Sequence, residues 1–480
     1  MGALLLGALP VAVAPAGALG SSTAHTERLA ALKGRLGGRV LASAAVQQSA
    51  VELGEKELLD GFLLPEDLCG GDPSSLRPQR KDPEEVAFLQ LTSGSTGLPR
   101  AVQIPHRAAV HNGLASSVAI GAPLGGPIDQ WADAMVSWLP LHHDMGLVGC
   151  LFLCLSQGLD LWLLNPATFL ARPKLWLENL GRRGTCFAPA PNFGYQLCVE
   201  RLQPKDLEGL DLTGWRAAMT GAEMVRPETV AAFCELTREA GFRPEAFRPC
   251  YGLAEATLAV TFDLEGRGLR TLPLPVGAEE GLGLKEVACL GKPVADTQVR
   301  IAAPDGSARA EGEIGQVTVH GPGVFAGYYQ DPEATAEGLR QGWLQTGDLG
   351  FLKDGELYLT GRTKDVLILR GHNLMPHELE WVAEGVTGGG GGMRSGAFSI
   401  AQGAEGEQAV LVVEVTDRDQ ETLKELAREI RLRMGRALNL PLADIAFVRR
   451  GKIPKTTSGK VQRRELRHQY LEGTLERLES

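Results

Sequence analysis

Residues 91–100, LTSGSTGLPR, set Thr92, Ser93, Ser95 and Thr96 among Gly94 and Gly97, directly after the apolar run VAFLQL. Glycines allow positive φ and close approach of a ligand, and hydroxyls add donors to the backbone N–H groups. Such a loop suits a polyanion, although a polar turn after a strand has the same composition. Two common phosphate patterns are absent. Gly-x4-Gly-Lys-Ser/Thr fails at residues 454–461, where Pro454 holds the first glycine position and Val461 the hydroxyl position, and no Gly-x-Gly-x-x-Gly opens a helix.

A second group with chemical potential is His142 and His143, followed by Asp144, Met145 and Gly146. A histidine pair invites a metal, but no further His/Cys cluster has ligand spacing, so that reading is set aside. Near the C-terminus Arg449, Arg450, Lys452, Lys455, Lys460, Arg463, Arg464 and Arg467 form a basic stretch. Charge runs of this kind are usually solvated faces.

The whole chain carries a net charge of -10, which argues against a nucleic-acid binder, since a phosphate backbone asks for a broad basic surface. Hydrophobic residues at 44% and charged residues at 22% place it among globular proteins rather than disordered ones. Eight cysteines without a Cys-x-x-Cys pair read as buried thiols of a reducing compartment, and the expected location is cytoplasmic. No run approaches a membrane-spanning length. The opening MGALLLGALPVAVAPAGA has the apolar character of a signal peptide but lacks a positive n-region, and Pro10 and Pro15 interrupt it.

These residues need a scaffold, and 480 residues are too many for one core, which predicts a large domain and a smaller one. Residues 86–260 alternate short apolar runs (AMVSWLP, LDLWLL, TCFAPA, WRAAMTG) with amphipathic segments (NFGYQLCVERL, RPETVAAFCELTREAG). That alternation predicts an α/β sheet, parallel in part. Beyond residue 290 the pattern turns β-rich, with a Pro-Asp-Gly turn at 304–306 and a Lys-Asp-Gly turn inside LGFLKDGELYLTG. A small α+β unit follows: helix HELEWVAE, strands GAFSIA and AVLVVEV, and a helix over 419–438 with Leu423, Leu426, Ile430 and Met434 on one face. The glycines of 387–393 read as a flexible connection.

Taken in order, LTSGSTGLPRAV, SWLPLHHDMGL, APNFGYQLC, GAEMVRPE, YGLAEATLAV, QTGDLGF, GRTKDVLILRG and GKIPKTTSGKVQRR resemble the landmarks of the adenylate-forming superfamily over residues 86–465. LHHDMGL and YGLAEATL are most similar to its fatty acyl-AMP ligase branch. The resemblance implies a large domain of α/β sheets plus a β subdomain over 1–361, a hinge at 362–364 and a small mobile α+β domain over 365–480. It implies ATP and Mg2+ as cofactors and a fatty acid as substrate. Acyl-AMP would form with release of pyrophosphate, and the acyl group would pass to the phosphopantetheine thiol of an acyl carrier protein or polyketide synthase. The alternatives are an acyl-CoA synthetase, with coenzyme A as acceptor, and an inactive truncated homologue. A phosphate-binding interaction module is the non-enzymatic alternative.

By the same resemblance, Lys460 is the adenylation lysine, Glu255 holds the metal, and Thr96 belongs to the catalytic set with them. The ATP site is Thr92, Ser93, Gly94, Ser95, Thr96, Gly97, Arg100, Gly221, Ala222, Glu223, Tyr251, Gly252, Asp348 and Arg362. His143, Asp144, Met145 and Gly146 border the acyl group, and Lys364 is the hinge residue. Arg100 replaces a common lysine and Ala101 a usual glycine; the charge survives, but arginine's fork is not a point charge. The basic stretch then also suits an acidic carrier protein or the phosphates of coenzyme A. Residues 262–287 look shorter than the insertion that disfavours coenzyme A in the branch. GALLLGALPVAVAPAG resembles an interior helix and strand of the family, so a preceding segment is expected to be missing and apolar surface to be exposed.

Overall fold

Strand and helix alternate along residues 133–262, and in the computed structural model the strands of this stretch join one sheet. The structure describes residues 2–5, 7–15, 22–68, 77, 80–92, 99–121, 133–182, 185–263, 266–274, 286–369, 372–387, 394–401, 407–416, 419–438, 440–455 and 460–478. The glycine run of 388–393 lies outside them.

Helices α1 (Ser22–Leu36) and α2 (Ala44–Leu53) share a small apolar cluster of Leu29, Val46, Ala50 and Leu58. The antiparallel pair β1 (Val86–Leu91) and β2 (Ala101–Pro105) carries the hydroxyl-rich loop between its strands. Gly327–Tyr328 pairs along β2, and Val11 bridges Leu89 on the other edge. On α3 (His106–Ile120), Val110, Leu114 and Val118 recur every four residues on one face and are 60%, 46% and 56% exposed, an open apolar stripe.

The central sheet contains β3 (Asp133–Ser137), β4 (Asp160–Leu163), β5 (Thr185–Ala190), β6 (Trp215–Thr220), β7 (Phe247–Gly252) and β8 (Ala259–Phe262). Its order is Lys292–Pro293, β8, β7, β6, β5, β3, β4, with β4 to β7 parallel and β8 antiparallel to β7. The parallel core matches the expectation from sequence, because strands covered on both faces read as near-continuous apolar runs. Helices α4 (Asn192–Arg201) and α5 (Pro227–Thr237) pack together over it. Trp176, Tyr195, Trp215, Phe233 and Phe242 meet edge-on beneath them at centroid separations of 5.0 to 6.0 Å.

The β subdomain is built from β9 (Gln298–Ala302), β10 (Gly315–His320), β11 (Trp343–Lys353) and β12 (Glu356–Arg362), all antiparallel. Both anticipated turns are present. Between β11 and β12, Asp354 and Gly355 take φ of 53° and 75°, the paired left-handed conformation that a two-residue hairpin turn requires. Gly306 N donates to Ala303 O at 2.9 Å in the other.

From residue 367 the apolar packing is separate from the main core. Strands β13 (Ser395–Ala401), β14 (Glu407–Val415) and β15 (Leu442–Arg449) form a sheet in that order, with β14 and β15 parallel. Helix α6 (Pro376–Thr387) and helix α7 (Gln420–Leu438) share one apolar cluster with the sheet, while Leu466 of α8 (Arg463–Leu471) belongs to another. Leu423, Leu426, Ile430 and Met434 of α7 are buried as their spacing predicts. Among the described residues no helix is long and apolar enough to cross a membrane. The described cysteines are free; Cys150, Cys154, Cys186, Cys198 and Cys289 are buried, and Cys234 and Cys250 half-buried.

Candidate active site

The hydroxyl-rich loop leaves β1 at Thr92 and re-enters β2 after Arg100. Thr92 N donates to Arg100 O at 2.9 Å, closing the base of the loop. Ser93, Gly94, Ser95, Thr96 and Gly97 lie outside the described residues. Arg100 turns toward Tyr328 and Asp331: its guanidinium carbon sits 5.2 Å from the Tyr328 ring centroid and its Nε 3.7 Å from Asp331 Oδ2.

Glu255 occupies a single 3-10 turn after β7, and Tyr328 donates its phenol proton to Glu255 Oε1 at 2.8 Å. Burial pushes the Glu255 carboxyl above its ordinary range, against the Tyr328 hydrogen bond. A desolvated carboxylate gains from a cation, and one carboxylate plus substrate phosphates is a usual share in a magnesium site. The residues present therefore fit Mg2+. Among the described residues no group of three or more His, Cys, Asp or Glu is arranged to hold a metal without a substrate.

Tyr251 of β7, Asp348 of β11 and Arg362 of β12 form a chain of hydrogen bonds. Tyr251 OH donates to Asp348 Oδ2 at 2.6 Å, and Arg362 Nε donates to Asp348 Oδ1 at 2.9 Å. Asp348 and Arg362 are direct cross-strand partners, so the hairpin register sets the ion pair. Asp348 holds the Arg362 guanidinium above its ordinary pKa, and burial does the same to the Tyr251 phenol.

Gly221, Ala222 and Glu223 follow β6. A Cβ on Gly221 would lie 2.9 Å from Cys250 O, so only glycine lets that backbone approach β7. Ala222 is left-handed at φ 68°, and Phe193 N donates to Glu223 Oε1 at 2.5 Å. A Cβ on Gly252 would overlap the carbonyl oxygen of Leu258.

His143 caps a short helix, Asp144–Gly146. Its Nδ1 accepts from Met145 N at 3.3 Å and lies 2.8 Å from Asp144 Oδ1. Burial opposes ionisation of Asp144, but His143, Lys460 and the Met145 N–H together hold its carboxyl below the ordinary range. Gly146 is fixed by packing, since a Cβ there would overlap Pro140 O. The apolar run that follows is a π-helical turn, Leu147–Phe152, a geometry the sequence does not announce. Gln90 was also missed: its Nε2 donates to His142 O at 2.8 Å and ties the histidine loop to β1.

Lys460 lines one cavity of about 1600 Å3 together with Thr92, His143, Glu223, Tyr251, Glu255 and Asp348; Arg100, Gly221, Ala222, Gly252, Asp144, Met145, Arg362 and Lys364 line it too. Gly146 stands one residue from that lining. Burial lowers the Lys460 pKa, Arg362 adds to this, and Asp144, Glu223 and Asp348 oppose it. Lys364, on the turn Thr363–Asp365, is exposed.

The loop approaching Lys460 is pinned by two acids that sequence reasoning did not select, Glu414 and Glu380. Glu414, fully buried in β14, accepts from Gly451 N at 3.1 Å, Ile453 N at 3.2 Å and Lys455 Nζ at 3.1 Å. Arg463 pairs with both oxygens of Glu380 at 2.7 Å and lies 3.4 Å from Asp365. The one available signal was Glu414 itself, a lone acid inside AVLVVEV.

The AMP-binding enzyme family matches residues 13–329. A Caulobacter vibrioides protein provisionally named an acyl-CoA synthetase is 36% identical over 488 residues, 98% of this chain and 82% of that one. The medium-chain-fatty-acid–[acyl-carrier-protein] ligase JamA of Moorena producens is 34% identical over 438 residues, 85% of this chain and 72% of JamA. A fatty acyl-adenylate ligase solved in a study of the E. coli and L. pneumophila enzymes superimposes with a TM-score of 0.82 at 30% identity, covering 98% of this chain and 84% of that one. On the family match and on these relatives, the chain belongs to the AMP-binding enzyme family and is an acyl-activating ligase.

Proposed function

We propose that the chain activates a fatty acid with ATP and passes the acyl group to the phosphopantetheine thiol of an acyl carrier protein. The observation that carries this is the convergence of Lys460 with Asp144, Glu223, Asp348 and Arg362 on one cavity, although Lys460 and Asp144 are distant in sequence. A carboxylate attacking the α-phosphorus brings two anions together, so catalysis is mostly charge neutralisation and positioning. The acid's oxygen forms the new bond to phosphorus, the bond to the β-phosphate oxygen breaks, and pyrophosphate leaves.

In this reading the ammonium of Lys460 bridges the carboxylate and the α-phosphate. Asp348 accepts the ribose hydroxyls with Arg362 beside it, while Tyr251 stacks on adenine and Gly221, Ala222, Glu223 and Gly252 line the base. Thr92 to Gly97 and Arg100 take the phosphates, with Thr96 in the catalytic set beside Lys460 and Glu255. His143 to Gly146 border the acyl group. Glu255 would hold Mg2+, which supplies charge neutralisation on the phosphates. Residues 1–361 act as the large domain and 365–480 as the small one. Rotation about 362–364, with Lys364 at the hinge, withdraws Lys460 so that a thiol can enter.

JamA's carrier-protein specificity favours an acyl carrier protein, alone or within a polyketide synthase; the Caulobacter relative's name favours coenzyme A as the second reading. A reducing cytoplasm is the proposed location. The deciding experiment incubates the chain with ATP, Mg2+ and fatty acids of varied length, then offers coenzyme A or a holo acyl carrier protein. Acyl-AMP followed by loading of the carrier is the expected result. No acid joined to AMP would refute the activity, and transfer to coenzyme A alone would select the second reading.

A further inference from the structure

Arg226 stands immediately before α5, and its side chain reaches across to α6 of the small unit. Its Nη1 lies 2.7 Å from Glu384 Oε2, and its guanidinium carbon is 4.8 Å from the centroid of the Trp381 ring. Trp381 and Glu384 are three residues apart on one helix, so a single face presents both the ring and the carboxylate. The pair is largely withdrawn from water, with the two side chains 20% and 12% exposed.

Each partner is itself fixed. Glu384 Oε1 accepts from both Ser395 N and Ser395 Oγ at 3.2 Å, which leaves Oε2 aimed at Arg226. Trp381 also packs against a cluster of Leu274, Val287 and Cys289 with Phe351 and Tyr358 of the β subdomain. On the other side, Arg226 N donates to Asn192 Oδ1 at 3.0 Å. Three residues before Arg226 is Glu223, whose charge acts on Lys460. A guanidinium held between an aromatic face and a carboxylate in a partly dry setting is a strong, directional contact. Both contacts are short-ranged, so a rotation that moves the small unit away from Arg226 would break them together.

Resting on the activity proposed above, we propose that Arg226, clasped by Trp381 and Glu384, is a positioning residue. It holds the small unit in the orientation that brings Lys460 to the nucleotide cavity. Breaking the clasp therefore slows adenylation and spares acyl transfer, which needs the other orientation.

The test uses the full chain, dodecanoic acid and ATP–Mg2+, comparing the unmodified protein with Arg226→Ala, Arg226→Lys and the swapped pair Arg226→Glu with Glu384→Arg. Loss of the ion pair and the ring contact shifts the balance between orientations by about tenfold. The single-turnover rate of dodecanoyl-AMP formation should fall in Arg226→Ala, by up to about tenfold as the competent fraction drops, at nearly constant KM for ATP, and by less in Arg226→Lys. Transfer from preformed dodecanoyl-AMP, to whichever of coenzyme A and holo acyl carrier protein the unmodified chain uses, should not fall. The swapped pair should recover at least half of the logarithmic loss. Equal losses in both half-reactions, or no recovery in the swapped pair, overturns the assignment. Small-angle scattering of the ligand-free chain reads the orientation without catalysis, and its profile should shift in Arg226→Ala and return in the swapped pair. If the unmodified chain makes no adenylate, the activity reading falls and the scattering comparison alone decides the clasp.

Discussion

Tyr251 donates its phenol proton to Asp348 at 2.6 Å, tying the last parallel strand of the central sheet to the long strand of the β subdomain. Arg362 holds the other carboxylate oxygen, so Asp348 is fixed from two sides before any nucleotide arrives. Removing one donor from a buried, charged acceptor costs roughly 1.5–3 kcal/mol. Tyr251→Phe should therefore raise the KM for ATP about tenfold. Asp348→Asn should raise it further, because Arg362 then faces Lys460 without its counter-charge. Isothermal titration with a non-hydrolysable ATP analogue checks both, and unchanged affinity in both variants would remove Asp348 from the nucleotide site.

The second prediction concerns Lys460. Burial and the Arg362 charge favour its neutral form, so the ammonium loses its proton below the ordinary 10.5. Adenylation requires the ammonium, and the alkaline limb of the pH–rate profile for acyl-AMP formation should accordingly fall below that value. Asp144 favours the charged form, so Asp144→Asn should move the limb lower still. Lys460→Ala should abolish acyl-AMP formation while ATP still binds. Undiminished adenylation in that variant would contradict the assignment.

Much of this was legible in sequence because it is local. The parallel strands announce themselves by apolar runs, the β11–β12 hairpin by Lys353-Asp354-Gly355, and α7 by the spacing of Leu423, Leu426, Ile430 and Met434. Strand Leu442–Arg449 was not separated from the basic stretch, since its parallel partner β14 lies across the whole of α7 and no turn signal joins them. The π-turn Leu147–Phe152 hides inside an apolar run that fits several conformations equally. Pairs such as Arg463–Glu380 and Arg226–Glu384 join residues with no pattern between them, so only folding reveals them. Motif order nominated the candidate residues, while the packing around them, through Glu414, Gln90 and Glu380, had no sequence signature beyond a misplaced charge.

A third prediction follows from the Tyr328–Glu255 hydrogen bond. Burial raises the Glu255 pKa, so protons compete with Mg2+ at a higher pH than for an exposed glutamate. Apparent Mg2+ affinity should weaken on the acid side. Tyr328→Phe removes the donor that stabilises the carboxylate, and should move this loss to higher pH. Glu255→Ala should raise the Mg2+ concentration needed for half-maximal adenylation at every pH. A metal titration that is unchanged in Glu255→Ala would exclude it as the magnesium ligand.

His377 gives the fourth prediction, which concerns stability. Its ring is buried at 9% exposure against Trp381, and burial lowers its pKa from 6.5 to about 4, with Arg463 and Arg226 adding to this and Glu380 opposing it. A histidine that is harder to protonate when folded leaves the unfolded chain binding more protons between those values. Stability is therefore full above about pH 6.5 and declines as pH falls toward 4. Between pH 7.5 and 5 this one group accounts for a loss of about 2 kcal/mol. His142, also lowered to about 4 by burial, acts in the same direction. Urea unfolding of the chain at the two pH values measures the total, and His377→Gln should remove its share of the slope. A slope unaltered by that substitution would show that the ring takes up its proton without unfolding, with α6 opening locally at the contact that seats Trp381 beside Arg226.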